Sequence, residues 1–116
     1  MKELLADIAL GLSAILPGED YDKAVLKIKR LENSVGFNGY YVDSSGQQCG
    51  LDVFGLNIRS KLIHALYHES QKPPLPAQEW NRAVFTLYPG NRVNVEYIWD
   101  QELQDEVDGY NREAGA

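Results

Sequence analysis

Two runs of alternating character, Arg82–Tyr88 and Arg92–Trp99, are separated only by Pro89, Gly90 and Asn91. Alternation of apolar and polar side chains marks a strand with one buried face, and a short Pro-Gly-Asn break joins antiparallel neighbours. A β-hairpin here is the firmest local constraint on the fold. Ala83, Phe85 and Leu87 form the apolar face of its first strand, and Val93, Val95, Tyr97 and Trp99 that of its second.

The rest of the chain reads around that hairpin. From Lys2 to Leu16, Leu4, Leu5, Ile8, Leu12, Ile15 and Leu16 recur at helical spacing, and Pro17 and Gly18 stop the helix. Lys23 to Leu31 alternates, with Ala24, Leu26 and Ile28 on one side and Lys27 and Lys29 on the other. A break at Glu32, Asn33 and Ser34 precedes Val35–Val42, a β-prone stretch that Gly36 and Gly39 mark for a bulge. After a turn over Asp43–Gly46, Gln47–Phe54 is expected to form a third strand with Cys49, Leu51 and Val53 on one side.

Asn57 is the expected cap of a second helix whose stripe is Ile58, Leu62, Ile63, Leu66 and Tyr67. Lys72–Ala77 contains Pro73, Pro74 and Pro76, which removes backbone donors and makes it a connector. Trp80, just ahead of the hairpin, is expected to close one end of the core. From Asp100 a short helix is expected, with Leu103, Val107 and Tyr110 on one side and a frayed tail after Arg112. The pattern predicts an α+β fold: one antiparallel sheet of about five strands, a three-strand meander plus the C-terminal hairpin, packed with two main helices and a short C-terminal one.

At 116 residues the chain suits a single domain over 1–116 with one core. The lone Cys49 excludes an intramolecular disulfide, which suits a reducing compartment. Lys2, Glu3 and Asp7 interrupt the first apolar stretch, so neither a signal peptide nor a membrane span is expected, and the chain is expected to act in the cytoplasm. Its net charge of −6 repels phosphate, so no direct nucleic-acid binding is expected and a basic partner is favoured.

Catalytic patterns are weak. His64 and His68 share a helical face, but Ala65 and Tyr67 stand where zinc-protease motifs need Glu, so two ordinary histidines are the simpler reading. A thiol in an alternating strand, as at Cys49, is usually a small buried hydrophobe rather than a nucleophile. No glycine spacing fits a phosphate cradle, and pairs such as Glu19 with Asp22 lack a catalytic companion. No catalytic, cofactor or metal site is expected.

The opening helix ending in Leu16-Pro17, the aromatic Tyr21 and the strand Ala24–Ile28 resemble the start of YezG-like immunity proteins. The run Trp80, Phe85, Leu87, Gly90, Val93, Val95, Tyr97 and Asp100 resembles that family's closing pattern of Trp, strand, Gly turn, strand and an aromatic with an acid. Tyr21 stands where a Trp is usual, and Arg92-Val93 replaces a charged and aromatic pair. The resemblance implies an α+β immunity protein that neutralises a toxin domain, often a nuclease, in interbacterial competition such as contact-dependent inhibition, with no catalysis of its own.

Charge patterning points to the same kind of partner. Between Glu96 and Glu113 lie seven acidic residues and one basic residue, Arg112. The expected partner-binding set is Glu19, Asp20, Asp22, Asp100, Glu102, Asp105, Glu106 and Asp108, facing a basic toxin. Tyr40, Tyr41 and Asp43 offer an alternative aromatic hot spot. A monomer is expected in isolation and a heterodimer with the toxin. A generic protein-interaction module and, more remotely, a small metal-dependent hydrolase are the competing readings.

Overall fold

The computed structural model describes residues 2–18, 20–31, 34–56, 58–73, 79–90 and 92–114. The chain runs α1 (Lys2–Ser13), β1 (Tyr21–Arg30), β2 (Val35–Asp43), β3 (Gln48–Gly50), a 3-10 turn at Val53–Gly55, α2 (Ser60–Ser70), β4 (Arg82–Tyr88), β5 (Arg92–Ile98) and α3 (Gln101–Ala114). The five strands form one antiparallel sheet in the order β3-β2-β1-β4-β5. Meander and hairpin are both present, and they join because β4 pairs along β1, with Ala24 opposite Leu87 and Leu26 opposite Phe85.

Period-two alternation selects the covered face. Ala24, Leu26 and Ile28 of β1 and Ala83, Phe85 and Leu87 of β4 are buried, with Phe37, Tyr41, Val93, Val95 and Tyr97 packed beside them. Ile8, Ala9 and Leu12 of α1, Leu16 just beyond it, and Ile63 and Leu66 of α2 complete the same cluster. Burying each large apolar side chain contributes about 1.5–3 kcal/mol, so this two-layer packing carries the fold. At Gly39 a Cβ would stand 2.1 Å from the Val25 carbonyl oxygen, so only glycine lets β2 lie this close to β1.

Several elements end elsewhere than their patterns suggest. α1 stops at Ser13, not Leu16: the residue before a proline is driven out of helical geometry, and the chain tightens first through bonds from Ile15 to Leu12 and Leu16 to Ser13. The irregularity expected in β2 lies in β1, where Asp22 is inserted between the pairs Tyr21–Asp43 and Lys23–Val42. β3 is only Gln48–Gly50, because the Leu51 N–H turns to the Gly39 carbonyl and Val53–Gly55 curls into a 3-10 turn.

α2 begins at Ser60 with Arg59 at its cap position and no side-chain cap; the expected cap Asn57 lies outside the described residues. Most of the proline connector, including Pro74 and Pro76, also lies outside them, as do Glu32, Asn33 and Asn91. β5 ends at Ile98, so Trp99 is not a strand residue. α3 is 14 residues long rather than short, and its helical backbone continues past Arg112 to Ala114. Among the described residues no helix is long and apolar enough to cross a membrane.

Candidate partner-binding surfaces

Helix α3 is aimed by its first residues. Asp100 sits at its N-cap and accepts the Leu103 backbone N–H at 3.2 Å, while Arg82 Nε donates to the same carboxylate at 2.6 Å. The buried Asn81 side chain bonds the Asp100 backbone in both directions. The Arg82 hydrogen bond, followed by the Leu103 N–H, holds the Asp100 carboxyl below its ordinary pKa. Asp100 is thus committed inside the fold as an anchor.

Beyond that anchor, Leu103 is buried while Glu102, Asp105, Glu106 and Asp108 are exposed. Gln101 Nε2 donates to Asp105 Oδ1 at 2.9 Å and Gln104 Nε2 to Asp108 Oδ1 at 3.0 Å, both one turn along. Amide donors orient these two carboxylates, and Glu102 in the first turn favours the helix dipole. The result is a charged, ordered ridge.

The other expected contact residues do not join it. Asp20 and Asp22 are exposed at the start of β1, and Tyr21 pairs with Asp43 there, whereas Arg30 at the far end bonds Asn81. A 10-residue strand separates the two acidic groups by roughly 30 Å, so they form two patches. Glu19 lies outside the described residues. Asp43 accepts from the Ser45 hydroxyl at 2.7 Å and the Gln47 N–H at 2.9 Å, which closes its own turn and lowers its pKa.

The tyrosine pair also divides. Tyr41 packs toward the core opposite Cys49, while Tyr40 faces outward beneath Lys27, whose Nζ is 5.9 Å from its ring centroid. Adjacent strand residues point to opposite faces, so the two cannot form one hot spot. A hydrogen bond with Cys49 raises the Tyr41 pKa, and the Cys49 thiol also contacts the Gln47 carbonyl at 3.8 Å. His64 is half-buried and His68 exposed, and the His68 ring meets Tyr67 edge-on at 5.9 Å. Among the described residues no group of three or more His, Cys, Asp or Glu could hold a metal ion.

Two features escaped sequence reasoning. Arg30 follows Ala24, Leu26 and Ile28 on the inward parity of β1, and its guanidinium lies 3.8 Å from the Tyr67 ring centroid while donating to the Trp80 carbonyl. Trp80, expected from sequence to close the core, is fully buried there; it stacks on Tyr97 at 5.0 Å and donates Nε1–H to Ser70 Oγ at 2.9 Å. A charge on an apolar parity was the available signal for this box. The second feature is apolar: Leu10 is 73% exposed beside a groove of about 550 Å³ between α1 and α2, and Phe54 is 100% exposed on the 3-10 turn. Periodicity leaves both off the expected apolar faces, Leu10 outside the helical stripe and Phe54 opposite Cys49, Leu51 and Val53, but it does not tell how far each is exposed.

Compared with known proteins, the chain matches no family model and no curated protein.

Proposed function

We propose that this protein is an antitoxin of the immunity type, which neutralises a basic toxin domain, most simply a nuclease, by laying α3 against it. The observation that carries this reading is the ridge of Glu102, Asp105, Glu106 and Asp108 on a helix fixed at its base by Asn81, Asp100 and Arg82. A nuclease surface is basic because it holds phosphate, and a rigid acidic ridge offers it complementary charge at little cost in ordering. The residue pattern shared with YezG-like immunity proteins supports the same role, acting in the cytoplasm of the cell that makes both partners.

A second reading, a generic protein-interaction module, is favoured by Leu10 beside the groove between α1 and α2 and by Phe54 on the 3-10 turn, since exposed apolar side chains suit a docking segment. Growth separates the two. Cells expressing the toxin domain of an adjacent reading frame should survive when this chain is co-expressed, and failure of rescue despite soluble expression would favour the module.

A further inference from the structure

The strand register turns one face of the sheet away from α1 and α2, and its composition is unlike the rest of the chain. α1 and α2 pack on the side of Ala24, Leu26 and Ile28, so the intervening positions of each strand point away from them. The molecule is 21 Å in its shortest dimension, the thickness of one helix layer on one sheet. Lys23, Lys27 and Lys29 of β1, Arg82 of β4 and Arg92 of β5 occupy outward positions, which is five of the 11 basic residues. The acids accompanying them are Glu96 and, at the Lys23 end, Asp22 in the corner bulge with Asp20 just before the strand. Arg82 is tied to Asp100, while Lys23, Lys27, Lys29 and Arg92 have no carboxylate partner among the described residues.

We propose that this face, with Lys23, Lys27, Lys29 and Arg92 set around Tyr40 and Tyr88, binds single-stranded nucleic acid. The inference goes beyond the antitoxin reading and does not rest on it. Tyr40 on β2 and Tyr88 on β4 flank the central strand, with Val25 and Thr86 as a buried floor between them. Lys27 lies over the Tyr40 ring at 5.9 Å from its centroid and Arg92 over the Tyr88 ring at 5.5 Å, so each ring carries a flexible cation on one face that can turn to the phosphate as a base stacks. Asn38 and Asn94, exposed on the same face, supply amides that can bond base edges. A ring paired with a cation matches a base next to its phosphate, which a duplex, with its bases stacked inside, does not offer.

The net charge of −6, which argues against phosphate for the chain as a whole, does not govern this face. Lys23 is six residues along β1 from Lys29, roughly 20 Å, and the acids of α3 start beyond the Lys29 end. Charges more than about 8 Å apart in water are largely screened at physiological salt. The local excess of cations is what an approaching strand meets.

The test is fluorescence anisotropy of a short labelled single-stranded oligonucleotide with the full chain, at several salt concentrations, beside the same sequence as a duplex and polyglutamate as competitor. Four cations without a carboxylate partner among the described residues give an expected slope of log affinity against log salt of about −3, falling to about −1.4 in Lys27→Ala with Lys29→Ala. Tyr40→Ala with Tyr88→Ala should weaken single-strand binding on the order of tenfold or more, and circular dichroism melts identify any variant that has merely unfolded. Each of three results would overturn the proposal. These are no binding at low salt, duplex binding equal to single-strand binding with no effect of the folded tyrosine variant, and displacement by polyglutamate at equal charge concentration, which would make an acidic protein the occupant.

Discussion

Asn81 and Asp100 form a closed pair: Asn81 Nδ2 donates to the Asp100 carbonyl oxygen at 2.7 Å, and the Asp100 N–H donates to Asn81 Oδ1 at 2.7 Å. The Asn81 N–H donates in turn to the Ile98 carbonyl at 3.1 Å, so a side chain carries the β4–β5 ladder beyond its last strand pair. The helix that follows inherits its direction from this pair.

Asn81→Leu removes both bonds and leaves the Asp100 backbone groups without them in a half-buried setting. A loss of roughly 2–3 kcal/mol is expected, since each orphaned polar group costs about 1–3 kcal/mol. Urea denaturation gives the magnitude. Hydrogen exchange should show the first turn of α3 losing protection before the strands do, and uniform loss would mean that Asn81 serves the core alone.

Trp80 closes the core and also anchors Ser70 and Arg30. Trp80→Ala is expected to cost about 3–5 kcal/mol, the range for large core truncations. Trp80→Phe keeps most of the packing and loses the Nε1–H bond to Ser70, at about 1–2 kcal/mol. Thermal melts followed by circular dichroism distinguish the two, and equal losses would place the weight on the hydrogen bond.

Acid should loosen the base of α3. The Asp100 pKa is lowered in the fold, chiefly by the Arg82 hydrogen bond, so its contribution is present above the ordinary aspartate value of about 3.9 and is lost as pH falls through the lower folded value. Asp100→Asn should therefore be less stable at neutral pH, with the gap to the parent closing below about pH 4. A gap that stays constant across acid titration would show that the charge of Asp100 is not the stabilising property.

Phe54 is 100% exposed, and Phe54→Ser should leave stability within about 0.5 kcal/mol. Light scattering at micromolar concentration should give a monomer for the parent and for Leu10→Ser. A parent dimer that Leu10→Ser dissolves would instead make the groove between α1 and α2 a contact between copies, and one that Phe54→Ser dissolves would place that contact at the 3-10 turn.

The parts of this fold legible in sequence are those where periodicity and burial carry the same information. Ala24, Leu26 and Ile28 alternate because one face is buried, and Ala83, Phe85 and Leu87 repeat the pattern on the neighbouring strand. The expected third strand runs past Gly50 because Leu51 and Val53 continue the alternation after the ladder has ended, and side-chain pattern does not report where backbone bonds go. The ridge on α3 follows from helical spacing alone. Asp100 does not, because Arg82 and Asn81, which take it into the fold, are 18 and 19 residues away and belong to another strand and its lead-in. The separation of Asp22 from α3 is likewise a consequence of strand length, invisible to composition.

Neutralising the α3 ridge by Asp105→Asn, Glu106→Gln and Asp108→Asn together tests the antitoxin reading most directly. The three side chains are exposed and the fold should be unchanged. Against the toxin domain of the adjacent reading frame, stopped-flow association at two salt concentrations should be slowed on the order of tenfold at low salt, with a flatter salt dependence and reduced protection of toxin-expressing cells. An association rate, salt dependence and protection all equal to those of the parent would contradict it.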